Sequence, residues 1–266
     1  MNTSIDRPGT NVTISLSDDM KDGRLDTPLE QACLIASGAD TPKKMQPYLT
    51  KISDTISHIE HDTNINKAND PAERATIIFD WLQKNENEGT YNDCYDIKDT
   101  LKLKVGNCLS YAIRFTIICR HFGIDIKNIF IPGHIYNTIA THGSERCFEH
   151  THSDGIVKKA DKYHPQKKIM KDEELIAEIF LYKARNANNE LHHEDSINYC
   201  RQALMLNPDD NRPVILFVDN HIAKKRYAEA FRYLDGYLSR HPNDKISFEK
   251  TYTLLKKLCE KEDNRF

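Results

Sequence analysis

Cys108, His134 and Glu149 are the residues of this chain whose types and spacing could together carry out a reaction. Cys108 follows Gly106-Asn107 and opens an apolar run, Leu109, Ala112, Ile113, Phe115, Thr116, Ile117 and Cys119, that reads as a buried helix. A thiol at such a helix start feels the positive end of the helix dipole, which favours the thiolate, and the free N–H groups there could hold an oxyanion. Composition alone favours a plainer reading, in which the cysteine is a small buried hydrophobe. The residues downstream shift that balance. His134 follows Pro132-Gly133 at the start of a strand, and Glu149 lies in the next strand. If the hairpin pairs residues whose numbers sum to 283, His134 faces Glu149 while Ile135 faces Phe148 on the other side. A tighter turn over His142 to Glu145 would set Glu149 against Thr138 instead. The first register is the one that a triad of thiol, imidazole and orienting carboxylate requires.

Several elements must position these groups. Leu29, Ala32, Cys33, Ile35 and Ala36 predict a helix ended near Gly38; Tyr48, Ile52, Ile56 and Ile59 predict a second. A third starts at Asp70-Pro71 and runs through Ala75, Ile78, Phe79 and Trp81-Leu82. The Asn, Gly, Asp and Tyr content from Asn85 to Leu103 reads as loop, and Gly123 stops the helix that Cys108 opens. Ile126 to Ile131, His134 to Ala140 and Arg146 to Thr151 then read as strands, so the class is α+β. Alternation puts Asn137 on the opposite face from His134, in a structural place. After Lys158 the pattern is helical again. Asn207-Pro208-Asp209-Asp210 recurs as His241-Pro242-Asn243-Asp244, with the prolines 34 positions apart, the period of a tetratricopeptide repeat. Ala184, Ala203 and Ala230 take the small packing positions, and a terminal helix from about Ser247 to Leu258 would cap the stack. An unrelated helical bundle is the alternative.

Composition narrows the function classes. Of 266 residues, 39% are hydrophobic and 29% charged, which excludes a collagen-like or wholly disordered chain, and no apolar run reaches membrane-spanning length. Lys and Arg number 37 against 40 Asp and Glu, a net charge of -3, so no basic field draws phosphate backbones and nucleic acid is not an expected partner. The N-terminus lacks a signal-peptide pattern, and seven singly scattered cysteines form no disulfide framework, which points to reduced thiols in the cytoplasm. His58 and His61, His150 and His152, and His192-His193 come without a Cys-x-x-Cys or His-Glu-x-x-His partner, so they read as solvent-exposed side chains and no metal is expected. With no glycine-rich phosphate loop, no nucleotide cofactor is expected either.

Gly106-Asn107-Cys108-Leu109-Ser110, Phe122-Gly123-Ile124, Pro132-Gly133-His134, Phe148-Glu149 and Gly155 resemble the transglutaminase-like core family. The likeness is greatest to a bacterial branch in which that core follows a helical segment and precedes tetratricopeptide repeats, and it covers roughly residues 28 to 250. The resemblance implies a papain-like α+β fold with Cys108 as nucleophile, His134 as general base and acid, and Glu149 as orienting carboxylate. The family more often has Asp in the third place, so either Glu149 is accommodated or Asp154 serves, and many members of the branch lack the cysteine. Tyr91 or Tyr95 stands where relatives place a group that helps bind the oxyanion. The expected layout is a mobile tail over 1–27, the transglutaminase-like core with its helical entry over 28–165, and helical repeats over 172–262. The expected activity is thiol chemistry on an amide, as protease, deamidase or acyl transferase on a protein or peptide. The alternative is an inactive scaffold whose repeats bind a protein or peptide.

Overall fold

The computed structural model describes residues 16–86, 92–141, 143–151, 155–157 and 167–263. Tyr91, His152 and Asp154 fall outside these, as do residues 1–15 of the expected tail. Two compact units divide the chain, one over Leu25–Leu175 and one from Ile176 onward, the latter grouped with Asp18–Arg24. Among the described residues no helix is long and apolar enough to cross a membrane.

The tail is not featureless throughout, because a helix, α1 (Leu16–Asp22), forms within it. Asp18 and Asp19 in its first turn and Lys21 in its last complement the helix dipole, and Gly23, at φ 70°, ends it. α2 (Leu29–Ala36) buries Leu29, Ala32, Cys33, Leu34 and Ala36 and closes before Gly38, as its apolar spacing predicts. α3 (Pro42–Asp62) starts where the Thr41 hydroxyl accepts the Lys44 N–H, and turns Met45, Leu49, Ile52, Ile56 and Ile59 inward. α4 (Pro71–Asn85) starts where the Asp70 carboxylate accepts the Ala72 N–H. The stretch read as loop contains α5 (Ile97–Leu103), capped by Asp96 and ended by Lys104 at φ 58°. Two turns of helix are too short to show a period, so the cap at Asp96 was its only sequence signal. α6 (Cys108–His121) is buried along every residue from Cys108 to Cys119.

A five-stranded antiparallel sheet follows, in the order β4-β3-β2-β1-β5. β1 (Lys127–Ile131) and β2 (His134–Thr141) are joined by Pro132-Gly133, proline fixing the first φ and Gly133 taking the positive φ of 81° that the turn needs. β3 (Ser144–Phe148) starts two residues earlier than its apolar content suggests and ends three residues earlier. β4 (Ile156–Val157) and β5 (Lys168–Met170) add two strands that no alternation announced, being only two and three residues long. Ile135, Asn137 and Phe148 look toward the helices: Asn137 bonds Thr116 of α6, and the Phe148 ring lies 4.9 Å from Phe115 and 5.4 Å from Phe79. His134 and Tyr136 alternate to the opposite face, as expected for His134 against Asn137.

The β2–β3 register differs from both of those weighed above. Thr141 pairs with Ser144 and Asn137 with Phe148, so paired numbers sum to 285 and the position opposite Glu149 is Tyr136. A two-residue loop, with Gly143 at φ 81°, sets this register.

The second unit is helical: α7 (Asp172–Asn189), α8 (His193–Leu206), α9 (Asn211–Ala223), α10 (Tyr227–Arg240) and α11 (Lys245–Asp263). Ala184, Ala203 and Ala230 are buried to 1% or less. Two non-glycine residues with positive φ, Leu191 (62°) and Lys225 (59°), make the α7–α8 and α9–α10 turns and are 34 positions apart, like Pro208 and Pro242. His221 on α9 is 2% exposed and neither ring nitrogen makes a hydrogen bond; Nδ1 lies 3.3 Å from Glu229 Oε2. Burial holds its pKa below the ordinary 6.5 against the pull of Glu229.

Two outcomes follow from these positions. A Cβ on Gly106 would stand 2.8 Å from the Thr100 hydroxyl and closer still to that of Ser110, which the α6 cap fixes in place, so Gly106→Ala is expected to lower stability by about 1–3 kcal/mol in denaturant titrations. For His221, the unfolded chain takes up a proton before the folded one as the pH falls. Its stabilisation is therefore present above pH 6.5 and lost below it. His221→Leu is expected to flatten the fall in unfolding midpoint between pH 7.5 and 5; parallel slopes in the two proteins would show that the ring does not titrate on unfolding.

Candidate active site

Asn107 starts α6 and thereby places Cys108. Its side-chain oxygen accepts the N–H groups of Leu109 (3.0 Å) and Ser110 (3.1 Å), while the Ser110 hydroxyl accepts the Asn107 N–H at 3.1 Å, a reciprocal capping box. The Asn107 N–H also reaches the Cys94 carbonyl at 2.8 Å, and the Asn92 N–H reaches the Gly106 carbonyl at 3.0 Å, so the approach to the helix is pinned on its other side. Cys108 is the first residue of the helix and 7% exposed.

The capping box corrects one expectation. Of the helix-start N–H groups read from sequence as free to hold an oxyanion, those of Leu109 and Ser110 are already given to Asn107. What the cap leaves over is the Asn107 side-chain nitrogen, in a residue 1% exposed, with no hydrogen bond. Sequence reasoning took Asn107 only as part of a turn. The signal that could have singled it out is its N-cap position, which commits the oxygen of the amide and turns the nitrogen away.

His134 opens β2 with its side chain 23% exposed, and Glu149, 1% exposed, follows the last rung of β3. His134 Nε2 and Glu149 Oε2 are 2.6 Å apart, and the Cys108 side chain lies close enough to the imidazole to help raise its pKa. The structure thus brings all three sequence-derived residues together, although not by the direct opposition that the register summing to 283 would give. Glu149 sits diagonally from His134 on the same face, and diagonal partners are within reach of a long side chain. The methylene that glutamate adds over aspartate supplies that reach. On its far side the Glu149 N–H donates to the Gly155 carbonyl at 2.8 Å, which fixes its backbone against β4.

The environment of the imidazole is set by opposing influences. Burial, the largest, pulls its pKa down; the hydrogen bonds to Cys108 and Glu149 and their negative charge outweigh it and raise the value from 6.5 to about 10. The shift favours the protonated ring, which is set between sulfur and carboxylate. A cation beside a thiol is the setting in which cysteines become nucleophiles. Tyr95 is partly buried ahead of α5.

The histidine pairs divide. His61 and His192 are exposed as expected, at 89% and 62% of their side chains, whereas His150 is 1% exposed, its Nε2 2.6 Å from Asn137 Oδ1. Placed next to Glu149, it alternates into the core. Among the described residues no group of three His, Cys, Asp or Glu side chains could hold a metal.

No curated protein and no solved structure matches the chain. One family model does, over a stretch shorter than the 28 to 250 of the likeness read from motifs, and it contains α4, the Cys108 helix, the His134 strand and Glu149. Residues 60–152 match the model of the transglutaminase-like superfamily.

Proposed function

We propose that the protein is a thiol-dependent enzyme that acts on an amide bond through Cys108, His134 and Glu149. The observation that carries this reading is the His134 ring set beside Cys108 with its Nε2 2.6 Å from the buried Glu149 carboxylate. Cys108 attacks the amide carbon as the thiolate, forming a C–S bond and a tetrahedral oxyanion. His134 gives its proton to the departing nitrogen as the C–N bond breaks, leaving a thioester and the amine or ammonia. It then takes a proton from water or from an acceptor amine as that nucleophile displaces the thiolate and releases an acid or a new amide. Glu149 keeps the ring oriented throughout and stabilises its charged form whenever it holds the proton. Protease, deamidase and acyl transferase share these steps and differ in leaving group and acceptor. The oxyanion is met by the Cys108 N–H and the Asn107 side-chain amide, the donor that the cap leaves over.

A second reading gives the work to the helical unit, as a tetratricopeptide-like stack that binds a protein or peptide. The 34-position recurrence of Leu191 with Lys225 and of Pro208 with Pro242 supports it. Cys108→Ala separates the two, since it abolishes an enzyme and leaves a binding scaffold intact.

Limiting iodoacetamide at about pH 6, read by mass spectrometry, is expected to label Cys108 at least about tenfold faster than the other six cysteines, with the advantage gone in His134→Ala. A Cys108 that reacts no faster than the rest, though reagent reaches it in the folded protein, would sink the enzyme reading. For the oxyanion donor, Asn107→Ser retains a capping oxygen and removes the amide. It is expected to leave the unfolding midpoint within a degree or two while lowering turnover of an amide substrate by roughly 100-fold or more. Loss of stability in step with turnover would assign Asn107 to capping alone.

A further inference from the structure

Pairing between β2 and β3 ends at Asn137↔Phe148, one residue short of the carboxylate that His134 needs. Beyond that rung, two side-chain bonds join the strands on opposite faces. On one face Glu149 reaches His134 at 2.6 Å. On the other, His150 reaches Asn137 at 2.6 Å. Continuing the register places Glu149 opposite Tyr136 and His150 opposite Ile135. Both bonds are therefore diagonal, and they lean in opposite directions: His134 lies two positions before the residue facing Glu149, Asn137 two positions after the residue facing His150.

We propose that the buried Asn137–His150 bond is the positioning device for Glu149, acting as the opposed brace to the Glu149–His134 bond. This rests on the triad reading above and deepens it. A slip of β3 that set Glu149 directly against His134 would carry His150 four positions from Asn137 and break its bond. The opposite slip, which sets Glu149 against Thr138, would leave Glu149 four positions from His134. A slip of one position would send both side chains to the wrong faces. Each bond forbids the slip that the other would tolerate.

The brace is firmly rooted. Asn137 is fully buried, and its side-chain nitrogen donates to Thr116 Oγ1 (3.1 Å) on α6 and Asn128 Oδ1 (2.9 Å) on β1. The Thr116 hydroxyl in turn lies 2.9 Å from Asn128 Oδ1. With its nitrogen committed as donor, Asn137 presents its oxygen to His150, so His150 Nε2 must carry the proton. Phe79 and Phe115 enclose the His150 ring, with centroids 5.4 and 5.2 Å away. The residue after Glu149 is thus plugged into the same helix, α6, that carries Cys108 at its start.

NMR titration of the His134 ring in the full chain tests this, with Cys108 and Glu149 as the titratable groups that face it. His150→Phe preserves the ring between Phe79 and Phe115 and removes the donor. It is expected to lower the His134 midpoint from about 10 by at least about one pH unit and to cut Cys108 alkylation at pH 6 roughly tenfold. His150→Gln, whose amide can again donate to Asn137, is expected to restore most of both. An unchanged His134 midpoint in a folded His150→Phe would reduce the bond to core packing and overturn the proposal. Should that variant not fold, the wild-type His150 tautomer decides: a proton on Nδ1 alone would exclude the bond to Asn137. Glu149→Gln separates this inference from the reading beneath it. If it leaves His134 unmoved, the triad itself fails; if it lowers the midpoint while His150→Phe does not, only the brace falls.

Discussion

A carboxylate that is 1% exposed has to be paired or neutral, and Glu149 meets that demand through a single 2.6 Å bond to the His134 ring. Its other oxygen makes no hydrogen bond, so no second donor shares the charge. Burial works against the imidazolium too, and what keeps the ring protonated to about pH 10 is the pair of partners on its two sides. The geometry of the site follows from this constraint. β2 must present His134 at its first residue, where the ring is still partly open to solvent, and β3 must stop where Glu149 can turn toward it. α6 begins, rather than passes, beside the ring, so the residue set against the imidazole is its first.

The start of α6 shows how one set of backbone groups serves stability at the expense of chemistry. Leaving the first N–H groups unpaired would offer them to a substrate, but a helix that is buried over its first three turns has no water there to satisfy them. Asn107 resolves the conflict by taking two of them with its oxygen. Its nitrogen is then left as an unpaired buried donor, which costs about 1–3 kcal/mol and calls for an explanation. The oxyanion role proposed for it supplies one, and makes cap and catalysis two ends of the same amide.

Much of the scaffold was legible in the sequence because it is written in signals several residues long. Asp70-Pro71, Gly38 and Gly123 mark helix ends where the structure has them, and the run from Leu109 to Cys119 announces a helix with no exposed face. Elements too short to have a period were not legible. α5 has seven residues, and β4 and β5 have two and three, their places decided by neighbouring strands rather than by their own composition. His150 was misread for a related reason. Its type argues for the surface, and only its alternation with Glu149 across β3, together with a partner thirteen positions earlier, puts it in the core. The three residues that the structure brings together could be named from type and order alone, whereas their register could not, since it is set by a two-residue loop that competes with others of similar length.

That loop also accounts for the residue type at the third position. With Thr141 paired to Ser144, the position opposite His134 falls beyond Glu149, and the carboxylate must cross a diagonal to reach the ring. An aspartate at 149 would be one methylene short, and bringing position 149 directly opposite His134 would require the other register, which the Asn137 bond to His150 does not permit. Turn length, buried brace and glutamate are therefore a consistent set. A glutamate at 149 thus follows from the hairpin that this chain builds.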